Sequence, residues 1–161
     1  MQFVYSVQEP PKKWIDFFLA FQRFEYALKR HPRFLKTTRE GARAEASWDA
    51  FGEYLGPDFF ARVQTMKLAE EIFQLPPGKE LVGDNGKCVF GKRIMPKKSY
   101  ELFGAIRIIR NNLFHGGKSE FTERNHNLIR DAMNVLNEAL ASCDEVRTTF
   151  LEYTNEMRPG F

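Results

Sequence analysis

The chain has 161 residues, a length typical of one domain, and 43% of them are hydrophobic, with 16 phenylalanines available for a core. No run approaches the roughly 18 consecutive apolar residues of a membrane span, and the first residues lack the pattern of a signal peptide, so we expect a cytoplasmic protein without a membrane partner. The two cysteines exclude a disulfide framework, and no histidine has metal-ligand spacing, so neither a metal nor another cofactor is predicted. A net charge of +3 permits an anionic partner.

Apolar residues recur with a helical period along most of the chain, and proline and glycine mark the points where each period ends. The residue before Pro32 is pushed out of the α region, and Gly56 and residues 76–77 end the next two runs. Ser47 is the expected N-cap of the second run. The predicted helices cover residues 11–30, 48–55, 57–74, 99–115 and 122–157.

The helical period vanishes between residues 76 and 98. Two short apolar runs there flank residues 83–86, Gly-Asp-Asn-Gly, whose Asn-Gly step suits a tight turn, so an inserted loop or hairpin is predicted. The last predicted helix would span about 50 Å at 1.5 Å per residue, so it bends or its overhang packs on another element. Residues 1–161 are therefore predicted to form a single all-α domain, a bundle of about four main helices.

Polar side chains lie at the end of the helix predicted over residues 99–115, which is otherwise largely apolar. Residues 110–117 read Arg-Asn-Asn-Leu-Phe-His-Gly-Gly, and polar groups in such a run need partners or a purpose. Asn111 and His115 are four residues apart and lie on one face of the helix, while Arg107 and Arg110 reach the same edge on long side chains. This edge is predicted to handle phosphate.

A guanidinium grips phosphate oxygens through paired donors, and an imidazole takes or gives a proton near neutral pH. Together they suit RNA cleavage without a metal, in which a 2′-hydroxyl attacks the adjacent phosphorus and expels the 5′-oxygen. One histidine supplies the base or the acid but not both at once. A two-fold homodimer that brings two copies of Arg110 and His115 into one cleft is therefore part of the hypothesis.

Residues 110–115, near the end of a helix in an all-α domain, resemble the Arg-x(4 to 6)-His signature of the HEPN superfamily. The resemblance is close over these six residues and loose over the order of the helices. It implies a HEPN-like helical bundle that dimerises, and a metal-independent endoribonuclease that leaves a 2′,3′-cyclic phosphate and a 5′-hydroxyl. Such enzymes act in toxin, anti-phage and RNA-processing systems, so the implied partners are RNA and an antitoxin or another regulatory protein.

By this resemblance, Arg110 and His115 form the catalytic pair and Asn111 supports them. Many members also carry an acidic residue in an early helix, and Glu25 is the candidate, where it would orient Arg110 or His115 through a charged hydrogen bond. The basic residues nominated for substrate binding are Arg107, Lys118 and Arg30.

Other interpretations of the same residues stay open. The motif also fits a helix end where Arg110 pairs with a carboxylate and His115 caps carbonyls. A non-catalytic module would bind RNA, a nucleotide or a protein through the same cleft, and a structural dimer would hold another protein. Glu25 fits a structural ion pair equally well, and the basic segments 29–43 and 87–98 fit solvated loops as well as RNA contacts.

Overall fold

The computed structural model describes residues 9–115 and 121–152. This part of the chain holds six α-helices and one two-stranded sheet, which confirms the all-α prediction, and none of its helices is long and apolar enough to cross a membrane. Four helices are long, with 16 to 19 residues each, and the other two are short. The elements are α1 Lys12–Lys29, α2 Trp48–Thr65, α3 Glu70–Gln74, β1 Glu80–Val82, β2 Cys88–Phe90, α4 Ser99–Phe114, α5 Glu123–Ala141 and α6 Asp144–Glu152.

An aromatic cluster joins α1, α2 and α4 at the centre of the core. The ring of Trp48 stacks on Phe21 with centroids 4.9 Å apart and lies 5.6 Å from Phe103, which stacks on Phe59 at 5.8 Å. Such pairs add to the stabilisation that burial of their large apolar area provides. The apolar residues that recur with a helical period in α1 form its buried face, which includes Trp14, Phe17, Phe21, Phe24 and Leu28.

Helix α2 is bent at the position that the sequence indicates. Gly56 has φ 70° and ψ −168°, a backbone conformation that glycine adopts without steric cost, and Pro57 follows it. Ser47 is the N-cap, and its Oγ accepts a hydrogen bond from the Ala50 amide at 3.1 Å. The predicted change of helix at Gly56 is therefore confirmed.

The helix predicted over residues 57–74 is wrong in its second half, because α2 ends at Thr65 and α3 begins only at Glu70. No glycine or proline marks this break, and Lys67 carries the turn with φ 55°. The cause lies elsewhere in the chain: the buried carboxylate of Asp131 on α5 accepts a hydrogen bond from the Ile72 amide at 3.1 Å. An acceptor at this place satisfies amide groups that have no partner within a starting helix.

The helix predicted over residues 122–157 is also interrupted. Within the described residues the chain bends after α5, and its second part, α6, packs on α1, so both alternatives are met. Its start is as expected, since Thr122 accepts a hydrogen bond from the Asn125 amide at 3.2 Å. Helix α5 then ends at Ala141, and the Oγ of its C-cap residue Ser142 accepts a hydrogen bond from Arg62 of α2 at 2.9 Å. Helix α6 turns back towards α1, where Arg23 Nε donates to the Phe150 carbonyl oxygen at 2.7 Å. Residues 153–157 lie outside the described residues.

The inserted hairpin predicted between residues 76 and 98 is confirmed. Strands β1 and β2 pair antiparallel with Leu81 opposite Val89, and Asn85 in the turn between them has φ 59°. The segment is fastened to α4, because Asn112 Nδ2 donates to the Gly78 carbonyl oxygen at 2.9 Å. A second bond, from Arg93 Nη1 to the Pro76 carbonyl oxygen at 2.9 Å, ties its two ends together. The hairpin therefore lies beside the helix that carries the motif.

Candidate active site at the end of helix α4

Arg110, Asn111 and His115 lie together at the C-terminal end of α4. Arg110 Nη1 donates to Asn111 Oδ1 at 3.1 Å and lies 3.4 Å from His115 Nε2. The helix creates this arrangement, because its last turn continues to His115, whose amide donates to the Asn111 carbonyl oxygen at 2.9 Å. A guanidinium has no acceptor, so a hydrogen bond between Arg110 and His115 requires an unprotonated Nε2. That nitrogen is then in the form that accepts a proton.

Aromatic rings hold the guanidinium of Arg110 without neutralising its charge. Its Cζ lies 4.5 Å from the centroid of Phe114 and 5.7 Å from that of Phe21. Contact with ring faces orients a planar cation and leaves edge donors available. No carboxylate among the described residues lies within ion-pair distance of Arg110, so the part of the chain that the structure describes does not supply the ion pair that one interpretation required.

The cluster is open to a ligand. Asn111 and His115 are exposed, and Arg110 is half-buried. The imidazole of His115 meets the ring of Phe114 edge to face, with centroids 5.3 Å apart. Among the described residues its polar contact is Arg110 and not a backbone carbonyl. A phosphate placed here would meet a fixed cation and a proton acceptor at the same time.

A groove between α4 and the hairpin leads to this cluster. It consists of a cavity of about 600 Å³ and one of about 280 Å³, which share Lys79, Ile108 and Asn111 among their lining residues. His115 lines the smaller cavity, and Arg107 lines the larger. We call this feature the hairpin groove; its α4 wall is formed by Gly104, Arg107, Ile108 and Asn111, and its opposite wall by Lys79, Leu81, Gly91, Lys92 and Ile94.

The other nominated residues do not join the cluster. Glu25 Oε1 accepts a hydrogen bond from Trp48 Nε1 at 3.1 Å, and no described hydrogen bond or ion pair links it to Arg110 or His115. The expected orienting contact from Glu25 is therefore wrong for this structure. The guanidinium of Arg30 lies 4.1 Å from the ring centroid of Tyr26 and does not line the groove. Phe21, the α1 residue that contacts Arg110, is nine residues away, or about 13 Å along the helix axis. Lys118 and the two glycines before it lie outside the described residues.

Two lysines of the groove were not among the nominated residues. Lys92 falls within the basic segment 87–98, but Lys79 stands alone after Gly78 and carries no signal in the sequence. In the sequence Asn112 is only one residue of the motif, whereas in the structure its buried amide positions the hairpin. The sequence does not indicate these residues, because it does not show on which side of α4 the hairpin lies.

Within residues 9–115 and 121–152, no three side chains of histidine, cysteine, aspartate or glutamate converge to hold a metal ion. No family model, curated protein or solved structure matches this chain.

Proposed function

We propose that the chain is a metal-independent endoribonuclease with Arg110, Asn111 and His115 as its catalytic groups. One observation carries the proposal: Arg110 Nη1, which belongs to a guanidinium with no carboxylate partner among the described residues, lies 3.4 Å from His115 Nε2 at an exposed helix end. Catalysis of phosphate ester cleavage needs a positioned base and a fixed positive charge, which this pair supplies.

In the proposed reaction, His115 Nε2 takes the proton of a 2′-hydroxyl. The 2′-oxygen forms a bond to the adjacent phosphorus while the bond from phosphorus to the 5′-oxygen breaks, and the leaving oxygen takes a proton from an acid. Arg110 turns its donors from Nε2 to the non-bridging phosphate oxygens, and Asn111 Oδ1 keeps the guanidinium in place. The products are a 2′,3′-cyclic phosphate and a 5′-hydroxyl.

The acid is proposed to be the His115 of a second copy in a two-fold homodimer. Support comes from exposed apolar side chains next to the cluster: Leu19 is 58% exposed, Phe114 is 57% exposed and Ile15 is 42% exposed. Phe18 joins the two helices by an edge contact with Phe114 at 5.6 Å. Exposed apolar surface of this kind is typical of protein interfaces. A toxin or anti-phage role, with an antitoxin or regulatory partner, rests on the HEPN resemblance alone.

The test is to incubate the purified protein with a mixed RNA pool in EDTA and to determine the product ends. We expect cleavage to 2′,3′-cyclic phosphate by the wild type and by the control His31→Gln, which changes a histidine outside the cluster. His115→Ala and Arg110→Ala are expected to lose cleavage while their melting temperatures stay within a few degrees of the wild type. Equal cutting by all four proteins would show that the site is wrongly assigned.

The hairpin groove favours a second candidate, a module that binds RNA or a nucleotide without cutting it. Its lysines and its volume would serve binding even if His115 took no proton. Under this alternative the wild type and His115→Ala bind RNA equally and neither cuts. Cleavage that is lost in His115→Ala would exclude it.

A further inference from the structure

We propose that the hairpin groove holds a single RNA strand, with its phosphates on Lys79, Lys92 and Arg107. The inference deepens the proposed function, because the strand in the groove would reach His115 at its end. Binding itself requires no cleavage, so the two proposals fail in different experiments.

The charges of the groove favour an anion. Three of its lining side chains are cationic, and two, Glu80 and Glu101, are carboxylates. Glu101 is already engaged, since its Oε2 accepts a hydrogen bond from the Lys97 amide at 2.7 Å. Lys79 and Lys92 come from the hairpin segment and Arg107 from α4, so the cations stand on both walls. A chain of phosphates between these walls would be attracted by both.

The shape of the groove favours one strand over a duplex. Its larger cavity, about 600 Å³, has the size that proteins use for small ligands and fits unpaired nucleotides one or two at a time. Leu81, Ile94 and Ile108 supply apolar surface against which bases can pack, while the cations follow the backbone. In a double helix the bases stack on one another and are not available to these apolar side chains.

A glycine in the α4 wall leaves space in the groove. Gly104 lines the larger cavity, and a Cβ built on it would meet no atom within 4 Å. A longer side chain at this position starts from open space and would project into the groove, and methionine is also a better helix former than glycine. Gly104→Met thus blocks the groove without changing its charge.

The experiment measures anisotropy of a fluorescein-labelled, unstructured 12-nucleotide RNA in EDTA over a salt series, with His115→Ala as the background so that no strand is cut. Lys79→Gln/Lys92→Gln should weaken binding about 20-fold at 0.1 M salt and reduce the slope of log K against log salt by about 1.4, because each phosphate contact on a single strand contributes about 0.7. Gly104→Met should also weaken binding. The control Arg39→Gln/Arg43→Gln removes two exposed cations of a loop that contributes no residue to the groove, and should bind like its parent.

Several results would overturn the inference: no RNA binding by the His115→Ala protein, equal binding of a matched duplex, or lysine and Gly104→Met variants that bind like the control. Cleavage by the wild type in the absence of groove effects would leave the proposed function intact and reject the groove. If the wild type never cuts RNA but its binding depends on the groove residues, the groove is supported and the proposed function is rejected. A thermal melt of each variant confirms that it is folded.

Discussion

At position 110 the shape of the side chain matters as well as its charge. The guanidinium of Arg110 is flat, lies on Phe114, and donates towards Asn111 and His115 from one nitrogen. A lysine ammonium keeps the charge but has neither the planar face nor the forked donors. We therefore expect Arg110→Lys to lower the rate of RNA cleavage about 100-fold, as loss of one preorganised donor to a developing charge does. Initial rates with the RNA pool would measure this, and a rate near that of the wild type would mean that charge alone suffices.

Asp131 is buried, being 1% exposed, and supports the start of α3 from α5. Replacement by alanine would leave the Ile72 amide without this acceptor, at a cost of about 1–3 kcal/mol in the free energy of unfolding. Asp131→Asn keeps an acceptor oxygen of the same shape and should lose less. Urea denaturation at pH 7 would rank the three proteins, and equal losses in both variants would mean that the hydrogen bond to Ile72 contributes little.

The same carboxyl group gives the stability a pH dependence. Burial raises the pKa of Asp131 above the ordinary 3.8. This effect outweighs the lowering of the pKa by Arg130 and by the hydrogen bonds that the carboxylate accepts from backbone amides. A group whose pKa is raised on folding contributes stability that is present below its unfolded pKa and is lost as pH rises through the folded pKa. Asp131→Asn does not titrate there, so its stability relative to the wild type should increase from pH 3.8 upwards. A constant difference over this range would contradict the raised pKa.

Replacement of two helical glycines by alanine should change the free energy of unfolding in opposite directions. A Cβ on Gly52 of α2 would collide with the backbone of Tyr100 at the start of α4, whereas one on Gly104 meets nothing. Gly52→Ala should therefore force the helices apart and lower the free energy of unfolding by about 1–3 kcal/mol. Gly104→Ala should raise it by about 0.5–1 kcal/mol through helix propensity. Thermal melts of the two variants provide the comparison, and similar values for both would argue against the close approach.

The sequence predicted those elements whose signals are local. Ser47 and Thr122 cap their helices through bonds to amides three residues away, and Gly56 bends α2 through its own backbone. The breaks at Lys67 and Ser142 carry no glycine or proline. The start of α3 after the first break is supported by Asp131, which is distant in sequence, while Ser142 donates to the Glu138 carbonyl oxygen and accepts a hydrogen bond from Arg62. Hydrophobic period continues through both breaks, so periodicity alone joined the helices.

The candidate site divides in the same way. Arg110, Asn111 and His115 are within one helical turn and a half, so their proximity follows from helix geometry. Glu25 is expected at the site only from the resemblance, and in the structure its carboxylate accepts a hydrogen bond from Trp48 Nε1 instead. The role of Lys79 depends on the bond between Asn112 and Gly78, which fixes the hairpin against α4 and has no pattern in the sequence.

For the molecule as a whole, the apolar surface beside the cluster predicts self-association. Leu19, on α1, is 58% exposed and makes up part of that surface. Burial of such side chains against a second copy would be prevented by a charge, since an unpaired buried carboxylate is costly. We expect the wild type to sediment as a dimer and Leu19→Glu as a folded monomer. A monomeric wild type would contradict the proposed pairing.

If each cleavage event needs His115 from both copies, a mixed dimer with one His115→Ala chain is inactive. Random exchange with a fourfold excess of His115→Ala should then leave the wild-type chains with about a fifth of their activity, because only that fraction still pairs with another wild-type chain. RNA is kept in excess so that the added protein does not simply sequester substrate. The double variant Leu19→Glu/His115→Ala, which retains the groove but should not pair, is the matched control and should leave the activity unchanged. Undiminished activity in both mixtures would mean that one chain supplies the base and the acid by itself; equal loss in both would point to competition for RNA.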